Sequence, residues 1–236
     1  MRKLLFTVLL FFLTHSAYGK DYTQAIILAF HDVKQQGGGL YTVKPEQLRE
    51  ILLLIKEDYE VHSVYSWAKK IENGSPFLKK PIVLTFDDGD PSLWRIVHPM
   101  LLEFEYKATY FIYLDRYADH SKFWNWVKKM PPDIEIGSHS LSHDDLKKRS
   151  PEKLHKELFL SKLKLEQLAE RKVYTFAWPY GSLGRDIKDY PIYAGYDYQV
   201  GVGGWLAKYS KEPLPRITVT SIDPVGQVKR LIKKFK

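Results

Sequence analysis

Two short segments of the sequence place acidic and imidazole side chains in a pattern that suits a catalytic divalent metal. The first is Thr85–Gly89 (Thr-Phe-Asp-Asp-Gly), and the second, further along the chain, is His139–His143 (His-Ser-Leu-Ser-His). Together they supply two carboxylates and two imidazoles, which can hold a metal and place a base beside it. Such a set leaves coordination positions open, as catalytic metal sites do. A metal held there would lower the pKa of water and polarise a carbonyl group.

The residues around Asp87 and Asp88 indicate that the two acids have different roles. The run Ile82–Phe86 is short, apolar and rich in β-formers, and it stops at Asp-Asp-Gly, so it predicts a buried strand. Neighbouring residues at a strand end point to opposite sides, so one acid can hold a metal while the other faces water or substrate. His139 and His143 share one face if their segment coils, and both can then reach one cation. Alone, the Asp-Asp-Gly segment is more often a turn, and the His-x-x-x-His segment is more often a pair of surface histidines. Their occurrence together, in this order and at predicted strand ends, favours a functional site.

These two motifs resemble the first two motifs of the polysaccharide deacetylases, carbohydrate esterase family 4. A third segment, Phe176–Gly181 (Phe-Ala-Trp-Pro-Tyr-Gly), resembles the Arg-x-Pro-Tyr motif of that family, but Ala177 stands where the arginine would be. The resemblance runs from roughly Ala25 to Thr220. It implies a single α/β domain folded as a distorted (β/α)7 barrel.

The resemblance also implies a role for each matching residue. Asp87 is the general base, the metal ligands are Asp88, His139 and His143, and the backbone amide of Tyr180 helps to form an oxyanion hole. The implied reaction is hydrolysis of an N-acetyl group on a hexosamine, with a metal holding the acetyl carbonyl and a water. Zinc suits imidazole and carboxylate ligands, and nickel, cobalt and iron(II) also accept them.

The general acid is where this sequence departs from most of the family. That acid is usually a histidine in a Leu-x-His motif near the C-terminus, but here the matching region is Leu214–Ile217 and no histidine follows His155. The best substitute is His31, at the end of the first predicted strand. His31 precedes the Asp-Asp motif in the chain. This order of motifs resembles that of the branch that acts on poly-β-1,6-N-acetylglucosamine, in which the acid histidine also precedes the Asp-Asp motif. We predict that His31 is the acid and that Asp32 fixes its position or tautomer.

Four further residues complete the predicted site. Arg216 is expected to replace the missing arginine of the third motif and to orient Asp87, with an ion pair of purely structural value as the alternative. Trp178, Pro179 and Trp205 are expected to contact the sugar rings of the substrate. Core packing is an equally good account of the two tryptophans.

The elements that must position these residues alternate between strand and helix. Strands are predicted at 25–30, 61–64, 82–86, 108–114, 133–136, 173–177, 198–202 and 217–219. Helices are predicted from 45, at 65–72, near 91–104, from 151 to about 171, and at 228–235, where the apolar side should dock on the barrel. Such alternation indicates a parallel sheet, and the site residues follow strand C-termini, where barrel active sites assemble. We therefore predict the distorted (β/α)7 barrel, with an open parallel α/β sheet as the alternative.

The N-terminal segment, composition and charge of the chain indicate where the protein acts and which kinds of chemistry and partner are disfavoured. Residues 1–19 predict a signal peptide, with Arg2 and Lys3 before an apolar stretch and a small-x-small cleavage site, which leaves 20–236 as the deacetylase domain. We expect an exported protein, periplasmic or secreted, with no transmembrane segment after cleavage; a retained anchor is the alternative. The chain has no cysteine, which excludes thiol chemistry. Its formal net charge of +8 suits an anionic envelope or glycan, whereas the dispersed lysines are a poor fit to nucleic acid.

The sequence therefore predicts an enzyme, a metal-dependent N-deacetylase of an exported or cell-envelope polysaccharide, with poly-N-acetylglucosamine as the favoured substrate. Peptidoglycan, chitin oligomers and acetylated xylan are alternative substrates, and the sequence identifies no protein partner. A catalytically inactive glycan-binding module on the same scaffold is a second class. A two-carboxylate glycoside hydrolase is disfavoured because the adjacent Asp87 and Asp88 face apart and cannot flank one bond.

Overall fold

The computed structural model describes residues 22–204 and 206–235. The predicted signal peptide and the predicted sugar-contacting residue Trp205 lie outside these described residues, so the division of the chain at residue 20 stays a prediction. Within the described part, none of the helices combines the length and the apolar character needed to cross a lipid bilayer.

Strands and helices alternate along most of the described chain. The strands are β1 (Gln24–Phe30), β2 (Asp32–Val33), β3 (Thr42–Val43), β4 (Tyr59–His62), β5 (Lys80–Phe86), β6 (Ala108–Ile112), β7 (Ile134–Ser138), β8 (Thr175–Ala177), β9 (Tyr198–Val200), β10 (Ala207–Lys208) and β11 (Ile217–Thr218). The helices are α1 (Pro45–Lys56), α2 (Val64–Glu72), α3 (His98–Glu103), α4 (Ser121–Lys128), α5 (Pro151–His155), α6 (Ser161–Ala169), α7 (Tyr190–Tyr193) and α8 (Pro224–Phe235). A π-helical segment at Leu93–Val97 precedes α3. A second one, at Lys156–Leu160, joins α5 to α6.

Most of these strands form one curled sheet in the order β10-β1-β5-β6-β7-β8-β9. The first half of β5 pairs with β4 and its last residues pair with β6. In the same way, β1 pairs with β10 near its start and with β11 near its end. The β1–β10 pair is antiparallel, and the other pairings of the sheet are parallel. A parallel sheet places the C-terminal ends of its strands, and the residues that follow them, at one edge.

The two sides of the curled sheet approach each other through a seam, defined here as residues 214–218. Val200 at the end of β9 forms a parallel bridge with Leu214. The amide of Gly203 donates to the carbonyl of Arg216 at 3.0 Å, and β11 then pairs with β1. The predicted distorted α/β barrel is therefore confirmed, with an irregular segment at the point where the sheet curls round. Arg216 lies within that seam.

Side chains of the strands alternate between the barrel interior and the surrounding helices. In β5, Leu84 and Phe86 pack in the cluster that includes residues of most helices, whereas Val83 packs in a second cluster with Phe111 of β6. Strand side chains repeat every two residues, so Asp87 continues the interior row that contains Val83 and Thr85. The interior row of β5 thus ends in a carboxylate at the C-terminal end of the barrel.

The C-terminal helix docks on the barrel as its amphipathic pattern predicted. Val228 and Ile232 of α8 are buried in the helix-facing core. The ring of Phe235 stacks on Tyr59, with ring centroids 6.3 Å apart. Lys229 on the outer side pairs with Glu50 of α1. The apolar face is thus covered by the molecule itself.

Candidate active site

A cavity of about 290 Å³ opens at the C-terminal end of the barrel strands. Most of the predicted site residues line this cavity. Seven of them follow the ends of four different strands and one lies in the seam: His31, Asp87, Asp88, His139, His143, Trp178, Tyr180 and Arg216. Tyr41, Gly181, Val202 and Thr218 complete the lining and were not predicted. The barrel therefore assembles one site from residues that are widely separated in sequence.

Asp88, His139 and His143 form a group that fits a metal ion. One ligand atom from each residue lies within 4.8 Å of those of the others. Asp88 Oδ1 is 3.1 Å from His143 Nε2 and 3.5 Å from His139 Nε2. The same oxygen is buried and makes no regular hydrogen bond within the described structure, so its lone pairs are free for a cation. One carboxylate and two imidazoles beside an open cavity are the donor set of a catalytic divalent cation.

A loop with left-handed backbone, and not a helical turn, brings the two histidines together. Ser140 and His143 have φ values of 74° and 63°. The amide of His143 donates to Ser140 Oγ at 3.0 Å, which closes the loop on itself. As a result, the His139 and His143 rings lie edge to face with centroids 4.8 Å apart. The coiled segment considered from the sequence does not form, but both rings still face the same point.

His139 is oriented and kept neutral by its surroundings. Its Nδ1–H donates to the carbonyl of Ala177 at 2.8 Å, which leaves Nε2 free to bind a metal. Burial lowers the pKa of His139, although the neighbouring Asp87 and Asp88 act in the opposite direction. A neutral imidazole is the form that binds a metal. The ring is therefore prepared as a ligand through Nε2.

Asp87 is held by a buried arginine. The two terminal nitrogens of Arg216 each donate to one carboxylate oxygen of Asp87 at 2.7 Å. Arg216 also donates to the carbonyl of Gly201 and to Thr85 Oγ1, so the guanidinium is fixed on several sides. Burial alone would raise the pKa of Asp87, but Arg216 and then His139 outweigh it and hold that pKa below its ordinary value. Asp87 is thus an ionised, fixed carboxylate, and Oδ2 lies 3.7 Å from His139 Nε2.

His31 lines the same cavity and stacks on an aromatic ring. Its imidazole and the ring of Tyr41 are nearly parallel, at 26°, with centroids 5.0 Å apart. Its Nδ1 is buried and has no hydrogen-bond partner in the part of the chain that the structure describes. Asp32, which we expected to fix this ring, instead accepts from Thr42 Oγ1 at 3.1 Å and pairs with Lys34 at 2.5 Å. The structure therefore does not bring Asp32 into contact with His31.

The third predicted motif forms one wall of the cavity. Tyr180 has left-handed backbone, with φ 58°, and its side chain is 68% exposed beside His143. Trp178 is fully buried, and its indole N–H donates to Gln199 Oε1 at 2.8 Å. Pro179 is buried as well. The structure favours the core-packing alternative for Trp178, because a ring without exposed surface cannot stack on a sugar.

Tyr41 is the lining residue that sequence reasoning missed and that makes the most specific contact. It follows the glycine run 37–39, which is an ordinary loop signal. The only local indication was an aromatic residue at the end of a loop that starts near His31. Nothing in the spacing predicts that the loop returns to cover that histidine.

Comparisons with known proteins agree with this geometry. The family model described as polysaccharide deacetylase matches residues 74–199, more than half of the chain. The chain therefore belongs to the polysaccharide deacetylase family. It is 22% identical to the poly-β-1,6-N-acetyl-D-glucosamine N-deacetylase of Escherichia coli strain K12, over 83% of this chain and 36% of that protein. The chain thus spans about a third of the length of the curated relatives it matches.

Solved structures share the fold over most of this chain. The Streptococcus pyogenes deacetylase PplD, in complex with acetate, has a TM-score of 0.77 at 21% identity, covering 88% of this chain and 98% of that one. A de-N-acetylase from Aggregatibacter actinomycetemcomitans has a TM-score of 0.78 at 19% identity, covering 88% and 99%. At such identities the likeness establishes the fold, a deacetylase-type α/β barrel.

Proposed function

We propose that this protein is a metal-dependent N-deacetylase that acts on an exported or cell-envelope polysaccharide. The observation that carries the proposal is the placement of Asp87, fixed by Arg216, within 3.7 Å of a histidine of the metal-ligand group. That arrangement provides a base beside the position where a cation and a carbonyl group would meet. Hydrolysis of an amide needs both functions at one point.

Asp88, His139 and His143 would hold the cation, for which zinc, nickel, cobalt and iron(II) are suitable by ligand type. When bound there, a divalent cation would polarise the acetyl carbonyl and make a neighbouring water more acidic. The rest of the chemistry belongs to side chains and backbone groups of this chain.

Asp87 accepts the proton of the attacking water, and Arg216 keeps its carboxylate ionised and correctly turned for that transfer. The carbonyl carbon becomes tetrahedral, and the backbone N–H of Tyr180 donates to the oxygen that gains negative charge. His31 then gives a proton to the amide nitrogen as the carbon–nitrogen bond breaks. The products are acetate and a free amine on the sugar.

Two observations favour poly-N-acetylglucosamine as the substrate. His31 precedes the Asp87–Asp88 pair in the chain, as in the branch that the sequence resembles. The distant Escherichia coli relative is named for deacetylation of poly-β-1,6-N-acetyl-D-glucosamine. Such a polymer lies outside the cytoplasm, which agrees with the signal peptide that residues 1–19 predict. Peptidoglycan and chitin oligomers are the substrates against which this choice must be tested.

The test is acetate and free-amine release by the metal-loaded protein on β-1,6-linked and β-1,4-linked N-acetylglucosamine pentamers. Asp87→Asn, which keeps the shape of the side chain and removes its charge, is the matched inactive control. Release from the β-1,6 oligomer alone supports the whole proposal. Release from the β-1,4 oligomer alone keeps the mechanism and moves the substrate to chitin or cell wall. Glycan binding without turnover on these oligomers or on peptidoglycan would contradict the enzymatic proposal.

A further inference from the structure

The general acid of the proposed reaction lacks the contact that usually orients such a histidine. A histidine that transfers a proton through one ring nitrogen is commonly fixed by a hydrogen bond at the other. His31 Nδ1 has no such partner within the described residues, and the adjacent Asp32 is engaged by Thr42 and Lys34. Rotation of an imidazole about its last side-chain torsion is broad unless something restricts it. Another contact must therefore hold the ring.

The ring of Tyr41 is in position to do so. It lies nearly parallel to the His31 imidazole, at a centroid distance of 5.0 Å, and lines the same cavity. A flat ring against the imidazole face prevents rotation of that ring out of its plane. Contact between two flat rings of this kind is itself favourable, so the stacked orientation is held in place. Both effects keep the imidazole in one orientation within the cavity.

The loop that carries Tyr41 is fastened on both sides of this residue. The carbonyl of Leu40 accepts from the amide of Ser221 at 2.7 Å. On the other side, Thr42 Oγ1 donates to the Asp32 carboxylate and accepts from the amide of Gly39 at 2.9 Å. Asp32 thus contacts the loop instead of the histidine. Asp32 is connected to His31 only indirectly: it binds Thr42, and the neighbouring Tyr41 contacts the His31 ring.

We propose that Tyr41 is the positioning residue for the acid His31, and that Asp32 acts on His31 by anchoring the Tyr41 loop. This inference rests on the proposed deacetylase function. Tyr41 takes no proton itself: the proton passes from His31 to the leaving nitrogen as the bond to the acetyl carbon breaks. The role of Tyr41 is to hold the imidazole in the orientation from which that transfer occurs.

Kinetics of Tyr41→Ala test the proposal. We expect kcat to fall about tenfold on the N-acetylglucosamine pentamer that the wild type deacetylates, with a smaller change in KM. A tenfold change in rate corresponds to the interaction energy of one aromatic pair. Tyr41→Phe keeps the stacked ring and should recover most of the lost turnover. Leu40→Ala, a similarly exposed neighbour outside the cavity lining, is the matched control for loop damage. Metal content and melting temperature are measured for each variant, so that loss of fold is recognised.

Two further measurements separate positioning from other roles. An acetyl ester of 4-nitrophenol needs no acid to release its leaving group, so Tyr41→Ala should lose much less turnover on it than on the pentamer. If Tyr41 acts through His31, the double variant with His31→Ala should be as slow as His31→Ala alone. Equal losses on both substrates, a change confined to KM, or additive losses in the double variant would each overturn the proposal.

A spectroscopic measurement tests the stack without turnover. In the folded wild type, the His31 ring protons should carry the ring-current shift of Tyr41, and Tyr41→Ala should remove it while Tyr41→Phe retains it. An inactive wild type would overturn the proposed function together with this inference. An active wild type that needs His31, but in which Tyr41→Ala leaves kcat and the ring-proton shifts unchanged, would overturn this inference alone.

Discussion

At the scale of single residues, the site depends on pairs in which one side chain sets the charge and direction of another. Asp87 is fixed by Arg216, and His139 is turned by the carbonyl of Ala177. Ala177 stands where the third family motif has its arginine, and the guanidinium that contacts Asp87 comes from the seam instead. A guanidinium far away in the sequence thus reaches Asp87 because the barrel brings the two residues together.

Removal of the guanidinium should disable the base and weaken the fold. In Arg216→Met, the buried carboxylate of Asp87 loses its partner, so its pKa should rise and fewer molecules carry it ionised. Breaking a buried pair in this way costs about 3–5 kcal/mol of unfolding free energy. We expect turnover on the pentamer to fall about a hundredfold, the lower end of what a general base contributes.

Urea denaturation and acetate release measure these two effects. The matched control is Arg230→Met, which removes an exposed arginine paired with Asp223 and should leave both quantities near wild type. Wild-type turnover in Arg216→Met would show that Arg216 is only a structural partner.

The proposed metal site, formed by Asp88, His139 and His143, gives a prediction that needs no substrate. If zinc binds only the folded protein, it should raise the unfolding free energy by about 4 kcal/mol when the free zinc concentration is a thousand times its Kd. His143→Ala removes one of the three donors and should lose most of this stabilisation. His155→Ala, at an exposed histidine that stacks on Phe159, should keep it. Calorimetry after chelator treatment makes the measurement, and an unchanged zinc effect in His143→Ala would contradict this ligand assignment.

At the scale of elements, the chemistry lies in the short connections that leave the strands. Among the described residues, seven non-glycine residues have positive φ, and four of them belong to the site or its loop: Asp88, Ser140, His143 and Tyr180. Backbone of this kind is unfavourable for residues with a side chain and collects at functional sites. These connections turn sharply because they must direct several polar groups into one cavity within a few residues.

The interior row of β7 shows how closely the barrel is packed below the site. A Cβ atom on Gly137 would lie 2.5 Å from the ring of Phe111 and 2.7 Å from Thr175 Oγ1. The Arg216 guanidinium lies over the same Phe111 ring, at 5.3 Å from its centroid. The glycine is needed here because two neighbouring strands already fill the space, and any displaced Phe111 would disturb Arg216.

We therefore expect Gly137→Ala to reduce the unfolding free energy by about 1–3 kcal/mol, as overpacking of a filled core does. Turnover of the folded fraction should also fall, because Phe111 supports Arg216. Gly39→Ala is the matched control, since no atom lies within 4 Å of its added Cβ and its backbone is not left-handed. Denaturant titration compares the two, and equal stability of both variants would contradict the packing argument.

At the scale of the whole molecule, the fold buries a histidine that would become charged in acid if it were exposed to water. His62, at the end of β4, is 4% exposed, and its ring packs edge-on against Phe77. Burial lowers the pKa of His62 from 6.5 to about 4, with Glu60 opposing this and Lys70 and Lys107 adding to it. The folded protein therefore resists protonation of a group that the unfolded chain protonates readily.

This difference predicts a loss of stability in acid. As the pH falls from 6.5 towards 4, the unfolded state gains a proton that the folded state does not, so unfolding becomes easier by up to about 3 kcal/mol. Above pH 6.5 both states are neutral at His62 and the effect vanishes. His62→Gln should flatten the curve of unfolding free energy against pH in this window, and the same change at exposed His155 is the control. Parallel wild-type and His62→Gln curves would refute the effect.

Several parts of the fold were predictable because their signals are local. The strand before Asp87 has an apolar run with a clear stop, and α1 begins at the predicted proline. The short helices α4 and α7 were not predicted, since four to eight residues hardly establish a helical period. The long helix expected after Ser150 starts as predicted, but a π-helical segment interrupts it and it ends at Ala169. Apolar spacing alone does not distinguish a continuous helix from an interrupted one.

The sequence by itself determined the ingredients of the site: paired acids after a strand, two nearby histidines, and a histidine after the first strand. These are local features, and strand periodicity places them at the same end of a barrel. Only the tertiary structure decided which residues touch. It set Arg216 against Asp87 across 129 positions of sequence, gave Asp32 to Thr42, and laid Tyr41 on His31. Such contacts depend on how the sheet curls and how loops return, and no local pattern of residues encodes that geometry.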